Sequence, residues 1–193
     1  MATVDGAAPR RVPGEVGIWV LIGGELLAFS AFFLVFAYYR GLAPDLFATG
    51  RETLDHRIGL TNTLILLTSS LFVALGVARV RDGRAGAARW FRLALACGAV
   101  FAALKAVEYG QKIAAGITPL TNDFFMYYFA FTGVHLLHVV IGSGALLFAI
   151  SATAREPSEG RTMIVECTAI FWHLVDLLWI ILFALFYLAG GHG

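Results

Sequence analysis

Apolar residues run almost unbroken through five stretches of the chain, approximately 16–39, 60–80, 91–115, 124–150 and 166–189, each interrupted by only a few polar positions. A bilayer core of ~30 Å takes roughly 20 helical residues to cross, so every stretch is long enough to span it. Backbone N–H and C=O groups in hydrocarbon must be satisfied within the segment that carries them, which leaves helices as the form such stretches adopt. The pattern therefore predicts an all-α, polytopic membrane helical bundle with five transmembrane helices. It forms one domain over residues 16–189, with an N-terminal tail over 1–15 and a C-terminal tail over 190–193. The intervening "ARVRDGRAGAARW" and "TAREPSEGRT" read as Gly/Pro-punctuated turns, and neither has the spacing of a phosphate-binding loop.

Composition agrees with that solvent. Hydrophobic residues make up 59% of the 193 positions and charged residues 14%, outside the range of a soluble domain. A net charge of +1 gives no overall attraction to nucleic acid, so the basic residues inform only through their placement. Arg10, Arg11, Arg79, Arg81, Arg84, Arg89, Arg92, Arg155 and Arg161 fall on one side of the predicted membrane, nine in all. Arg40, Arg51, Arg57 and Lys112, four residues, fall on the other, and Lys105 lies within the third span. Because Lys and Arg are retained in the cytoplasm, the bias places the N-terminus inside and the C-terminus outside. The first apolar run is too long for a signal-peptide core and contains Glu25, so it is read as a span. Cys97 and Cys167 have no CxxC spacing and predict neither a disulfide framework nor a zinc site.

The polar residues inside the spans are the candidates for function, since an ionisable group at the centre of a membrane helix costs roughly 2.5–3.5 kcal/mol on insertion scales. Glu25 lies nine residues into the first span, ~14 Å along a helix. Lys105 and Glu108 are spaced i,i+3 in "KAVEYGQK", where an ion pair offsets part of the burial cost. The fourth span carries His135 and His138, with Thr132 one turn away, and the fifth carries His173 and Asp176, with Glu166 near the same face. A network joining these histidines and carboxylates between the fourth and fifth spans could be catalytic, proton-conducting, or polar glue that fixes helix register, and the spacing leans toward glue. Metal ligation by His135, His138 and His173 is the rival enzymatic reading. An autonomous proton or small-ion transporter is the other rival, although paired Gly/Pro-broken spans, the usual pointer to a midplane transport site, are lacking.

Taken together, "GELLAFSAFF", "NTLILLTSS", "KAVEYGQK", "FFMYYFAFTGVHLLHVVIG" and "FWHLVDLLWIILFALFYL" resemble, in content and order, subunit III of the haem-copper oxidases over residues 16–189. The "NTLILLTSS" and "NDFFMYYF" strings and the short length are most similar to the NorE-type homologue associated with nitric oxide reductase. Subunit III of bacterial cytochrome c or quinol oxidases is the alternative. The resemblance implies an accessory, non-catalytic subunit of a respiratory electron-transport complex in the bacterial inner membrane. It would bind no cofactor or metal itself and would pack among membrane lipids beside a catalytic subunit that holds the haem and metal. By the same resemblance Glu25 matches a mid-membrane carboxyl group that is proton-related or reacts with hydrophobic carbodiimides. Glu108, His135, His138, His173 and Asp176 match inter-helix polar positions. Seven-span members have two further N-terminal helices enclosing a lipid-filled cleft, for which this chain has no room. A histidine count points the same way: a catalytic haem-copper subunit needs about six histidine ligands, whereas this chain has five, with His56 and His192 in a loop and at the tail.

Topology is directly testable. Reporter fusions after Gly83 and at Gly193 are expected to report opposite sides of the membrane, and a shared side would contradict the orientation assigned from the basic residues.

Overall fold

The computed structural model describes residues 13–154 and 158–188. All regular structure among them is helical: α1 (Val16–Leu42), α2 (Pro44–Glu52), α3 (His56–Arg81), α4 (Ala87–Ala114), α5 (Asp123–Thr153) and α6 (Glu159–Phe183), the last continuing into a π-helical turn, Ala184–Leu188. Five segments are long and apolar enough to cross a membrane: α1, α3, α4, α5, and α6 with its π turn. They extend the predicted stretches by up to seven residues, because polar caps start the helices before the apolar run begins. Asp55 accepts from the N–H groups of Arg57 and Ile58, Asn122 from Phe125, and Ser158 from Arg161. The tails at 1–12 and 189–193, with Arg10, Arg11 and His192, and the segment carrying Arg155, lie outside the described residues.

The short helix α2 was not anticipated from the hydrophobic pattern. It has Pro44 in its first turn, where a missing N–H costs nothing, and Asp45 beside the positive helix end. Its apolar contribution is a single ring, Phe47, which sits edge-on to Phe36 of α1 and Phe124 of α5. One buried ring in nine residues leaves no periodic signal to read.

Helices α3 to α6 form the core, and α6 is its most enclosed member, with 61% of its most apolar window buried. The register of the four is set by Trp172 of α6. Its indole lies against Gly98 of α4 and Gly142 of α5, where an added Cβ would approach ring carbons to 2.9 and 2.8 Å. Its N–H donates to Ser69 Oγ of α3 at 3.1 Å, and Ser69 in turn donates to the Ala94 carbonyl of α4 at 2.9 Å. One side chain thus touches or bonds to three neighbouring helices. The same device recurs nearby: Phe91 lies over Gly76, and Trp179 donates to Thr63 Oγ1 at 3.0 Å. Without water to drive burial, membrane helices associate through such close packing at small residues and through buried hydrogen bonds.

Helix α1 is attached differently. Only Phe29 and Phe36 along its 27 residues are buried, the first against Leu174 and Leu178 of α6, the second among Phe47, Tyr127, Phe131 and Phe186. Ile18, Ile22 and Phe33 pack partly buried beside them, and much of the remaining surface of α1 is exposed.

Gly142→Ala forces a methyl group into the Trp172 ring and is expected to cost about 1–3 kcal/mol, as overpacking of a filled core does. Gly144, with nothing within 4 Å of its added Cβ, tolerates the same change. Thermal unfolding in detergent micelles should show a lowered midpoint for Gly142→Ala and an unchanged or raised one for Gly144→Ala.

Candidate functional site

The most enclosed ionic group is Lys105, whose ammonium lies in the interior where α3 to α6 meet. It donates to Glu108 Oε2 at 2.8 Å, to the Tyr128 hydroxyl at 3.1 Å and to the Tyr187 hydroxyl at 3.3 Å. All three donor hydrogens therefore have acceptors. The rings of Tyr128 and Trp179 present their faces 5.0 Å from the nitrogen, adding cation–π attraction from α5 and α6. Tyr187 donates to the other Glu108 oxygen at 2.7 Å, so both carboxylate oxygens are also engaged. Beside this cage Tyr109 and Thr132 are hydrogen-bonded at 2.6 Å, and Thr132 donates to the Tyr128 carbonyl at 2.5 Å. Lys112, one turn beyond Glu108, donates to the Thr53 carbonyl in the α2–α3 connection.

His135 is fully buried next to the cage, edge-on to Phe101 at 5.5 Å and tilted against Trp179 at 5.2 Å, and neither ring nitrogen is hydrogen-bonded to a described residue. The Asn62 side chain is likewise buried without a described partner.

His138 faces a different neighbour. Its Nε2 lies 3.2 Å from Glu25 Oε2, and its Nδ1 bonds to the Val134 carbonyl at 2.8 Å, which requires the Nδ1–H form. This carboxyl–imidazole pair is the polar link between α1 and α5 in the spans, flanked by Phe29 and Phe171. The Glu25 side chain remains 26% exposed, so the carboxyl group is reachable from the outer surface of the bundle.

A third cluster lies between α3 and α6. Ser70 Oγ and His173 Nδ1 are hydrogen-bonded at 2.6 Å, and Asp176 Oδ2 lies 3.7 Å from the same nitrogen, close enough for charge interaction but too long for a hydrogen bond. Glu166, placed by its spacing near the His173 face, sits two turns away at the bundle end. There it accepts from Arg81 at 3.0 Å and from the Gly14 backbone N–H at 3.0 Å, joining the C-terminus of α3 to the start of α1.

The seven residues expected to form one inter-helix network thus occupy separate places. Lys105 and Glu108 share a cage, with His135 adjoining it through Trp179. His138 belongs with Glu25, His173 and Asp176 with Ser70, and Glu166 with Arg81. Among the described residues no hydrogen bond or ion pair joins the His135/His138 face to His173 and Asp176: i,i+3 positions are offset by about 60° around a helix, enough to turn His138 toward α1 while His135 faces inward. Residues that the spacing did not reveal, Tyr128, Tyr187 and Trp179, come from other helices, and only their aromatic-rich surroundings hinted at them. Among the described residues no three His, Cys, Asp or Glu side chains converge as a metal ligand set.

The arrangement pairs its polar groups across helices and directs most of their hydrogen-bonding capacity inward. Comparison with known proteins places it. Residues 13–191 match the family model of cytochrome c oxidase subunit III. The chain belongs to the cytochrome c oxidase subunit III family. Its relatives include a cytochrome c oxidase subunit 3 from Synechocystis, 32% identical over 89% of this chain and 74% of the relative. A cytochrome c oxidase subunit 3 from Corynebacterium diphtheriae is 31% identical over 95% of each chain. A cytochrome bo(3) ubiquinol oxidase subunit 3 from Pseudomonas putida is 29% identical over 91% of this chain and 85% of the relative. Membership of this family, with five long apolar helices, makes the chain a multi-pass membrane protein of the respiratory oxidases.

Proposed function

We propose that this chain is a non-catalytic accessory subunit of a haem-copper oxidase superfamily complex in a bacterial inner membrane, packed beside a catalytic subunit that carries the haem and metal. The observation that carries this reading is the way the polar residues are used: Lys105, Glu108, Tyr128 and Tyr187 satisfy one another and join α4, α5 and α6. Groups so fully engaged hold helices and leave little capacity to bind a substrate. Glu25 differs, being partly exposed and bonded to a single imidazole, and is the residue we assign to carbodiimide reactivity or proton exchange.

The N-terminus is assigned to the cytoplasm. In support, Arg79, Arg81, Arg84, Arg89, Arg92 and Arg161 gather at the end of the bundle where α3 finishes and α4 and α6 begin, against Arg40, Arg51, Arg57 and Lys112 at the other end.

The finer reading is a NorE-type subunit beside a nitric oxide reductase, supported by the "NTLILLTSS" and "NDFFMYYF" strings. A second reading, subunit III of a cytochrome c oxidase, is favoured by the Corynebacterium diphtheriae relative, which matches this chain over 95% of both lengths and is thus equally short. Affinity purification of the tagged chain from its own membranes in mild detergent tests both levels. A haem-containing subunit is expected to co-purify, and that complex is expected to consume nitric oxide. Oxygen consumption instead selects the second reading, and purification free of any haem protein contradicts the accessory-subunit assignment.

A further inference from the structure

Most polar side chains in the spans turn inward, but His173 does not. It lies midway along the 30-residue Glu159–Leu188 segment, and its side chain is 43% exposed. Its Nδ1 is taken by Ser70, while Nε2 has no hydrogen bond or ion pair to a described residue. The imidazole lines a surface groove of about 290 Å³ between α3 and α6, whose other walls include Ala74, Ala78, Ala169 and Ile170. Pro13 and the Arg81–Glu166 ion pair close the groove at the bundle end.

Three features narrow what covers it. A polar ring nitrogen at the middle of a span needs a hydrogen-bonding partner, and the acyl chains that surround mid-membrane helices have none to give. Ala74 and Ala78 are i,i+4 on α3 and both exposed, so a second helix backbone can approach there as it does over small-residue pairs in membrane bundles. The Asp176 side chain is 95% buried and stands behind the ring, and His173 is held in place by its hydrogen bond to Ser70 without being drawn inward.

We propose that this groove is the docking surface for a transmembrane helix of the catalytic subunit, with His173 Nε2 hydrogen-bonded to a polar side chain or freed carbonyl on that helix. The proposal rests on the accessory-subunit reading above and specifies which face makes the contact. The occupant is a helix and not a lipid, because only a protein segment brings a hydrogen-bonding group to that depth while fitting an alanine-floored groove.

The test uses the complex in native membranes. A photo-crosslinking amino acid is introduced at Ala78 in the groove and, as a control, at Phe148 on the exposed surface of α5, and the linked polypeptides are identified by mass spectrometry. Linkage of Ala78 to a transmembrane segment of the haem-bearing subunit, with none from Phe148, is the expected result. Linkage from Ala78 only to lipid, or to a second copy of this chain, while the haem protein still co-purifies, overturns this inference and leaves the accessory-subunit reading standing. Loss of the haem protein from the unsubstituted preparation overturns both. Because a bulky group at Ala78 can itself block docking, His173→Ala and His173→Gln are compared in parallel. His173→Ala is expected to retain the haem subunit about three- to eighteen-fold less well, the range that interhelical hydrogen bonds in membranes support. His173→Gln, which restores a donor and an acceptor, should recover retention. Equal retention by His173→Ala and the parent overturns the inference.

Discussion

An ammonium group enclosed among membrane helices must have all of its hydrogens accepted by protein, because no water is there to take them. Lys105 imposes that condition on this fold. Its three acceptors and two ring faces are drawn from Glu108 on the same helix, Tyr128 on α5, and Trp179 and Tyr187 on α6. Moving any of these helices by a fraction of a turn would leave the charge partly unpaired, a state that costs several kcal/mol in a low-dielectric interior. The cage therefore restricts register at one end of the bundle. Trp172, seated on Gly98 and Gly142 and bonded to Ser69, restricts it nearer the other.

Beyond those two layers His135, Asn62 and Asp176 stay buried, while several other polar groups sit toward the periphery. Glu25 and His138 tie the loosely held α1 to α5, Glu166 ties the start of α1 to the end of α3, and His173 looks outward. A rigid four-helix interior with polar contacts at its margins suits a protein that is finished only when a neighbour packs against it. Family membership supplies the kind of neighbour, and the mutual satisfaction of Lys105, Glu108, Tyr128 and Tyr187 is why these charges are assigned no chemistry.

Much of the architecture is legible in sequence because lipid makes the rule simple: an apolar run of sufficient length is a helix. The i,i+3 spacing of Lys105 and Glu108 likewise reads as a pair from local geometry alone. What local spacing does not carry is the identity of the facing helix. His135 and His138 share a side of α5, yet the small angular offset between them sends one toward Trp179 and the other toward Glu25. His173 and Asp176 diverge for the same reason, one exposed and one buried. Tyr187 was hidden further by its place in the π-helical turn, beyond the end of the regular helix. Helix α2 escaped notice because only Phe47 and Gly50 of its nine residues are buried, too few to leave a periodic signal.

The central claim is that the buried charges hold helices and perform no chemistry of their own. Removing one member of a buried pair strands the other, whereas neutralising both together largely relieves the penalty. The decisive measurement is thermal unfolding, together with turnover per haem, of complexes carrying Lys105→Met, Glu108→Gln, or both. The account predicts that Lys105→Met alone destabilises the subunit by about 3–5 kcal/mol. It predicts that the double variant, in which the Gln carbonyl still accepts from Tyr187, recovers most of that stability and supports normal turnover wherever the subunit is retained. A double variant that is stable and fully retained, yet leaves the complex without turnover, would contradict it.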